Sequence, residues 1–369
     1  MAVTPEQILQ ALSSVVEPER GRDIVRLGMV KGMEIQGNAV SFTIVLKDPR
    51  STFAKEAPDA ARQAIHEALG NHLDVQIETD SEMIGLGDDV PMSGAETTKS
   101  SGIQNIIAVA SGKGGVGKST VAVNLAVALV QQGYEVGLAD TDIYGPSIPT
   151  MFGITDEKPR VSQERKILPL EKYGVKLLSM GFMVDPNQAV IWRGPMVSSA
   201  VKQFLNDTAW GDLDYLILDL PPGTGDIQLT IVQTVSLTGA VVVSTPQEVA
   251  LADARKGVAM FENVNVPVLG IVENMAYFTP PDLPDRKYYL FGQGGARRLA
   301  DELDVPFLGE IPLEQQVRET GDMGTPVMAL HPDSASSKAF DTAATNIVAQ
   351  IARRNAEQPA TSPIEILYR

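Results

Sequence analysis

A glycine-rich run at residues 112–120 lies directly between an apolar segment and a segment with helical periodicity. Its sequence is Gly-Lys-Gly-Gly-Val-Gly-Lys-Ser-Thr. The preceding residues 106–110 are continuously apolar, which predicts a buried parallel strand, and residues 121–129 predict a helix packed on that strand. A strand, a glycine loop and a helix in this order predict a phosphate-binding unit within an α/β fold.

The residue types of the run suit a nucleoside triphosphate. Glycines let backbone N–H groups converge on phosphate oxygens, and the helix that follows directs the positive end of its dipole to the same place. Lys118 is expected to reach the β- and γ-phosphates, and Ser119 to give its hydroxyl to Mg²⁺. The predicted nucleotide-binding residues of the run are Gly112, Lys113, Gly114, Gly115, Val116, Gly117, Lys118, Ser119 and Thr120.

The same run also contains a competing pattern. Its glycines spell G-x-G-x-x-G from Gly112, and Asp140 lies near the end of the next predicted strand, as in a dinucleotide-binding fold. A pyrophosphate-binding turn needs neither a lysine nor a metal-binding hydroxyl after the last glycine. Because a triphosphate with Mg²⁺ needs both, Lys118 and Ser119 favour that site over a nicotinamide or flavin enzyme.

Composition narrows the remaining function classes. The 369 residues include no cysteine, which excludes disulfides, thiolate zinc sites and a cysteine nucleophile. The net charge of -16, without a Lys/Arg cluster, argues against nucleic acid or an anionic membrane as a partner. No apolar stretch has the length of a membrane span, and the first residues do not resemble a signal peptide. We therefore expect a cytoplasmic protein with no nucleic-acid partner and no membrane partner.

Residues 1–84 predict a small α+β domain. Thr4 and Gln7 form a capping-box pattern, which predicts a helix that extends to about Val16. Two strands, a helix and a further strand are predicted after it, at residues 24–35, 39–46, 52–69 and 73–78. The result is an α-β-β-α-β order of ordinary domain size.

A second, larger domain is predicted at residues 103–354. It follows a flexible linker at 85–102, rich in Gly, Ser, Thr and Asp, and precedes a tail at 355–369. Strand candidates that alternate with helical patterns lie at residues 106–110, 136–139, 215–220, 240–244, 268–272 and 305–308, with a last helix at 336–353. This alternation predicts an α/β fold, a doubly wound and mostly parallel sheet of the P-loop NTPase type.

Carboxylates follow two of the predicted strands. Asp219 ends an apolar strand, where a phosphate-loop enzyme holds the acid that organises Mg²⁺; the alternative is that it only caps the next turn. Asp142 is the candidate for orienting the attacking water, with Asp140 as the alternative, because phosphoryl transfer depends mainly on positioning and charge compensation. The predicted metal ligands, partly through water, are Ser119, Asp140 and Asp219. Gly223 is expected to present its N–H near the γ-phosphate.

Several motifs resemble those of one family. The glycine-rich run has a lysine, Lys113, directly after its first glycine, and in this it resembles the deviant phosphate loop of the MinD, ParA and nitrogenase-iron-protein class. Further motifs are D-T-D-I-Y-G-P-S-I-P from Asp140, W-R-G-P-M from Trp192, D-L-P-P-G-T-G-D from Asp219, T-P-Q-E-V-A-L-A-D from Thr245 and V-E-N-M from Val272. Together they resemble the Mrp/ApbC family of ATP-dependent iron–sulfur cluster carriers over residues 103–345. The motif that begins at Val15 resembles the small iron–sulfur-assembly domain often fused to these proteins.

The resemblance implies a nucleotide-sandwich homodimer that binds ATP and hydrolyses it slowly, stimulated by partners. Iron–sulfur scaffold proteins or apo-proteins would be those partners. It also implies that Lys113 reaches the nucleotide of the partner subunit, that Asn274 contacts adenine and that Pro246 lines the base. The catalytic residues would be Lys113, Lys118, Asp140 and Asp142.

The cysteines that hold the cluster in many members of that family are missing from this chain. Residues 276–284, where C-x-x-C is common, contain none, and neither do residues 47–52. Because iron–sulfur clusters are held chiefly by thiolates, no iron–sulfur ligand is predicted in this chain, and a cluster is implied by the family alone.

Three hypotheses therefore stay open for the cargo. A partner supplies the cluster ligands, the ATPase acts on a scaffold without holding the cluster, or the cargo is something else. The alternative functions are a spatial-organising ATPase of the MinD/ParA type and a nucleotide-binding scaffold without turnover. Residues 280–289, with Lys287-Tyr288-Tyr289, form either a partner-binding surface or a plain surface loop.

Overall fold

The computed structural model describes residues 3–18, 21–46, 52–70, 72–81, 102–142, 145–162, 166–182 and 194–357. Most of the predicted linker 85–102, most of the tail 355–369, and Trp192 and Arg193 of the W-R-G-P-M motif lie outside these residues. The chain divides into two compact units, Met1–Lys99 with Val348–Ala360, and Ser100–Ile347 with Thr361–Arg369.

The small unit is built on a three-stranded sheet. Its elements are α1 (Pro5–Leu12), β1 (Val16–Glu17), β2 (Arg22–Asp23), β3 (Val30–Gln36), β4 (Ala39–Leu46), α2 (Thr52–Leu69) and β5 (Asp74–Ser81). β4 is central, antiparallel to β3 and parallel to β5. Alternate β4 residues Val40, Phe42 and Ile44 are buried in the core with Ile8 and Leu12 of α1, as expected for a sheet with one covered face.

The predicted bounds of two elements of this unit are wrong. The first helix ends at Leu12, not at Val16, because the hydroxyls of Ser13 and Ser14 bond back to carbonyls of the last turn. The predicted strand at 24–35 is interrupted by a turn, in which the Asp23 carboxylate accepts the Arg26 N–H at 2.8 Å, so that β3 begins only at Val30.

The large unit is an α/β layer structure. Its elements are β6 (Ile103–Ala110), α3 (Lys118–Gln131), β7 (Val136–Asp140), α4 (Ile148–Met151), β8 (Arg160–Val161), β9 (Ile167–Leu168), β10 (Leu170–Lys172), β11 (Val175–Ser179), a 3-10 turn (Met180–Phe182), α5 (Gly194–Asn206), β12 (Leu213–Asp219), α6 (Asp226–Thr234), β13 (Gly239–Ser244), α7 (Glu248–Asn263), β14 (Val268–Phe278), α8 (Gly295–Leu303), β15 (Phe307–Leu313), α9 (Gln315–Asp322), α10 (Val327–Leu330) and α11 (Ala335–Glu357). Residues 348–360 group with the small unit, although the sequence placed residues up to 354 in the large domain, because Ala356 packs in the small unit's core.

Eight strands form the main sheet, in the order β10-β11-β7-β12-β6-β13-β14-β15. Neighbouring strands are parallel, except for the edge pair β10–β11. Every residue of β7, β12 and β13 is buried, which is typical of a parallel sheet covered on both faces. The predicted doubly wound fold is confirmed, and the sheet reverses its order around β6, where such sheets bind ligands at the carboxyl ends of their strands.

Candidate nucleotide-binding site

The glycine-rich loop joins the carboxyl end of β6 to α3, which begins at Lys118. Gly115 and Gly117 both have φ of +81°, a left-handed conformation that favours glycine. Gly112 is restricted differently, since a Cβ built there would lie 2.2 Å from the backbone of Asp253 in α7. The loop conformation therefore requires glycine at these positions for steric reasons alone.

Lys118 is buried against two of the predicted carboxylates. Its Nζ donates a hydrogen bond to Asp219 Oδ1 at 2.6 Å and lies 3.8 Å from Asp142 Oδ2. It also donates to the hydroxyl of Ser119 at 3.2 Å. Asp219 is fully buried, and Lys118 retains only 6% of its exposure, so this ion pair is largely shielded from water. The structure thus brings together four residues that were predicted from three separate motifs.

Strand register places Asp140 beside Asp219. The two residues are register partners at the ends of β7 and β12, and Ser179 is the register partner of Asp140 on β11. Asp140 Oδ1 accepts the N–H of Asp142 at 3.1 Å, and Oδ2 accepts the hydroxyl of Ser179 at 2.8 Å. Both oxygens of Asp140 therefore have protein donors.

Burial dominates the ionisation of this carboxylate group. It raises the pKa of Asp140 to about 8, assisted by the negative charge of Asp219 and opposed by the hydrogen bonds from Ser179 and Asp142. Burial also raises the pKa of Asp219, where the adjacent Lys118 ammonium opposes it most strongly.

The oxygen atoms at this site fit Mg²⁺. Asp219 Oδ2 is buried and has no hydrogen-bond partner among the described residues. The hydroxyl of Ser119 accepts a hydrogen bond from the Lys118 ammonium, which also pairs with Asp219 Oδ1. Mg²⁺ prefers oxygen ligands, and it needs few from the protein because phosphates and waters complete its shell. Ser119, Asp219 and, through water, Asp140 are the residues that could hold it.

A cavity of about 590 Å³ lies on the α3 side of the loop. Its wall includes Thr120, Asn124, Asn274, Met275, Pro312 and Glu314. The Asn274 amide donates to the carbonyl of Val116 at 2.8 Å, which joins β14 to the phosphate loop. The volume is in the range of small-ligand pockets, and Asn274, which the resemblance predicts to contact adenine, lies in the wall.

Two predicted contacts do not fit this conformation. Pro246 is not among the described residues that line the cavity with Asn274; it lies against the start of α8, where a Cβ on Gly295 would be 2.4 Å from the Pro246 carbonyl oxygen. The N–H of Gly223, expected at the γ-phosphate, donates to the carbonyl of Ser111 at 2.9 Å. A phosphate contact by Gly223 would require that hydrogen bond to break.

Lys113 lies in the first turn of the loop and is half-buried. Its carbonyl accepts the hydroxyl of Ser111 at 3.0 Å. Sequence reasoning missed both Ser111 and Ser179, which act on the site through hydrogen bonds only. Ser111 directly follows the apolar run 106–110, and that pattern was the available signal, whereas Ser179 ends the short strand β11 and has no such local signal.

The segment that follows β14 replaces the cysteine pair of the resembled family with aromatic and charged residues. Phe278 and Tyr288 exchange two backbone hydrogen bonds of 2.8 Å, which close the intervening loop. The Lys287 ammonium lies 3.8 Å from the centre of the Tyr277 ring, a cation–π contact. Four large side chains are at least 40% exposed: Leu283, Tyr288, Tyr289 and Leu290.

Two other features are absent from the described residues. No group of three or more His, Cys, Asp or Glu that could hold a metal ion occurs in the described part of the chain. Within the same residues, no helix combines the length and apolar character needed to cross a membrane.

Comparison with known proteins identifies the family. Residues 102–348 match the family described as NUBPL iron-transfer P-loop NTPase, and residues 5–79 match the family described as iron-sulfur cluster assembly protein. An iron-sulfur cluster carrier protein of Synechocystis sp. is 46% identical over 353 residues, covering 95% of this chain and 98% of that protein.

Two solved structures resemble the large unit. A nucleotide-binding protein from Archaeoglobus fulgidus, solved in complex with ADP, is 44% identical with a TM-score of 0.54, covering 60% of this chain and 87% of the other. The cell division ATPase MinD of Pyrococcus furiosus is 25% identical with a TM-score of 0.50, covering 66% and 98%. The resemblance predicted from the motifs is confirmed: this chain belongs to the family of iron-transfer P-loop NTPases and carries an N-terminal domain of the iron–sulfur cluster assembly family.

Proposed function

We propose that this chain binds ATP with Mg²⁺ at residues 112–120, hydrolyses it slowly and thereby assists the delivery of iron–sulfur clusters to apo-proteins. One observation carries the proposal. The lysine of the phosphate loop is held by a buried carboxylate, Asp219, whose second oxygen has no partner among the described residues. That arrangement is suited to accept phosphates on Lys118 and a metal ion on Asp219. The ADP bound by the Archaeoglobus relative supports the same ligand class.

Nucleotide binding would exchange the partner of Lys118. The β- and γ-phosphates carry more negative charge than one carboxylate, so we expect the ammonium to leave Asp219 Oδ1 for the phosphates. Asp219 then has both oxygens available toward the metal site. Mg²⁺, when bound by Ser119 and Asp219, supplies charge compensation for the phosphates.

Asp142 is better placed than Asp140 to orient the attacking water. Both oxygens of Asp140 accept protein hydrogen bonds, from Asp142 N–H and the Ser179 hydroxyl. Among the described residues, Asp142 Oδ1 accepts only a long bond from the Gly145 N–H, 3.3 Å, and Oδ2 lies 3.8 Å from the Lys118 ammonium. A carboxylate oxygen near the phosphate-binding lysine is available to hold a water in line with the γ-phosphate.

The proposed role of Lys113 requires a homodimer. Its half-buried side chain begins at the mouth of the loop, beside the highly exposed Gly114 and Gly115. In the proposed nucleotide-sandwich dimer it would compensate charge on the nucleotide of the partner subunit during hydrolysis.

The cluster is proposed to be held by residues of a partner protein. The chain has no cysteine, and carboxylates or hydroxyls are poor ligands for iron–sulfur clusters. The exposed side chains of residues 283–290 and the cation–π pair of Lys287 with Tyr277 offer a surface on which such a partner could dock. The chain would then couple ATP turnover to the release of a cluster that it does not ligate.

An anaerobic transfer assay tests the proposal. A cluster-loaded scaffold protein and an apo-ferredoxin would be mixed with this chain, with or without MgATP, and transfer followed by the visible absorption of the acceptor. We expect this chain with MgATP to change the transfer rate, and Lys118→Ala to abolish both the effect and ATP hydrolysis. Wild-type hydrolysis without any effect on transfer would refute the cluster role and leave the ATPase. ATP-dependent sedimentation with DNA or liposomes would instead support a spatial organiser.

A further inference from the structure

Ser179 lies beside the proposed metal site without belonging to it. It is the last residue of β11 and the register partner of Asp140, which in turn is the register partner of Asp219. The three side chains therefore lie in one row across the carboxyl ends of three adjacent parallel strands. Ser179 is fully buried, so water does not compete for its hydroxyl.

The hydrogen bonds of Ser179 have a defined direction. Its Oγ accepts the N–H of Gly181 at 3.0 Å, and it lies 2.8 Å from Asp140 Oδ2. Because the backbone N–H occupies the acceptor side, the hydroxyl proton is directed at the carboxylate. Asp140 Oδ1 is engaged in turn by the N–H of Asp142 at 3.1 Å. A continuous chain of hydrogen bonds thus runs from Gly181 through Ser179 and Asp140 to Asp142.

The 3-10 turn after Ser179 also touches the loop that carries Asp142. A Cβ built on Gly181 would lie 2.9 Å from the ring of Pro146 and 3.2 Å from Ser179 Oγ. Only a residue without a side chain allows the turn to approach this closely. The position of the turn is therefore coupled to the loop after β7 by steric contact as well as by the hydrogen bonds.

We infer that Ser179 is a positioning residue for ATP hydrolysis: its hydroxyl fixes the Asp140 carboxylate, and through it the backbone of Asp142, in the orientation that the attacking water and the metal require. This inference rests on the proposed ATPase function. Ser179 touches neither nucleotide nor water in this scheme, so its loss impairs turnover more than binding.

The test compares Ser179→Ala with Ser244→Ala as the matched control. Ser244 is also a buried serine at the end of a parallel strand, but its hydroxyl bonds to the carbonyl of Thr245 and not to a carboxylate. Steady-state ATPase kinetics would be measured together with binding of a fluorescent ATP analogue at varied Mg²⁺. We expect Ser179→Ala to lower kcat by about tenfold or more, the effect of losing one hydrogen bond to a carboxylate, with KM within about twofold. The analogue should need more Mg²⁺ for half-maximal binding.

Two further variants separate positioning from stability. Ser179→Thr keeps the hydroxyl and should restore most of the kcat lost in the alanine variant. In an Asp140→Ala background, Ser179→Ala should cause no further loss, because the two residues act in one chain. Equal losses in Ser179→Ala and Ser244→Ala, or additive losses with Asp140→Ala, would overturn the inference. A wild-type chain without ATPase activity would instead refute the proposed function.

Discussion

The Lys118–Asp219 pair makes a quantitative prediction about stability in the absence of nucleotide. Lys118→Ala removes the 2.6 Å partner of Asp219 Oδ1 and leaves a fully buried carboxylate whose other oxygen already has no partner among the described residues. Breaking a buried ion pair by removing one member typically costs about 3–5 kcal/mol. Since about 1 kcal/mol corresponds to about 2–4 °C in a domain of this size, the large unit should melt roughly 6–20 °C lower.

The loss should depend on pH in a defined direction. Without Lys118 the pKa of buried Asp219 rises further, because the ammonium that opposed the effect of burial is gone. The folded state then disfavours the ionised carboxylate, so the penalty grows as the pH rises above the ordinary pKa of an aspartate and shrinks as the pH falls toward it. The difference in melting temperature between wild type and variant should therefore be larger at pH 8 than at pH 5.

The assay is thermal unfolding of the nucleotide-free protein at both pH values. Lys256→Ala is the control, because its pair with Asp253 is at the surface, with Lys256 68% exposed, and should contribute no more than about 1 kcal/mol. Adding Asp219→Asn to Lys118→Ala should recover part of the loss, since it removes the unpaired charge. The prediction is refuted if Lys118→Ala melts at the wild-type temperature at pH 8, or if its loss of melting temperature is the same at both pH values.

Further predictions concern catalysis, titration and loop packing. Asp142→Ala should retain binding of a fluorescent ATP analogue while hydrolysis slows by about tenfold or more; full ATPase activity would transfer the water-orienting role to Asp140. Asp140→Asn should make the free energy of unfolding, measured by chemical denaturation, depend less on pH. The reason is that a pKa of about 8 for Asp140 in the folded state makes the wild type lose stability as the pH rises from about 4 to 8. Gly112→Ala should lower the melting temperature, since its Cβ would overlap the Asp253 backbone, whereas Gly114→Ala, with no atom within 4 Å, should not. Similar melting of the two glycine variants would contradict the loop geometry.

The parts of the fold and site that depend on local sequence could be predicted. Continuous apolar runs identify β6 and β12, and the glycine run between β6 and α3 fixes the place of the phosphate loop. Parallel strands bring their carboxyl ends to one edge, so the meeting of Lys118 with Asp142 and Asp219 follows from strand order.

Contacts that depend on register and on short edge elements could not be predicted. β11 has only five residues and includes a lysine, so its place beside β7 and the contact of Ser179 with Asp140 have no local signal. The early end of α1 depends on where Ser13 and Ser14 find acceptors. The N–H of Gly223 bonds to the carbonyl of Ser111, and Pro246 lies against Gly295 at the start of α8; both contacts depend on tertiary packing and not on local sequence.

The central claim is that this chain is an ATP-dependent factor whose cluster ligands are supplied by another protein. The most direct measurement is the iron and sulfide content of the chain after anaerobic reconstitution, alone and together with a cysteine-containing scaffold, followed by separation on a sizing column. We expect no stoichiometric iron on the chain alone and a cluster in the fraction that contains the scaffold. A stable cluster eluting with this chain by itself would contradict it.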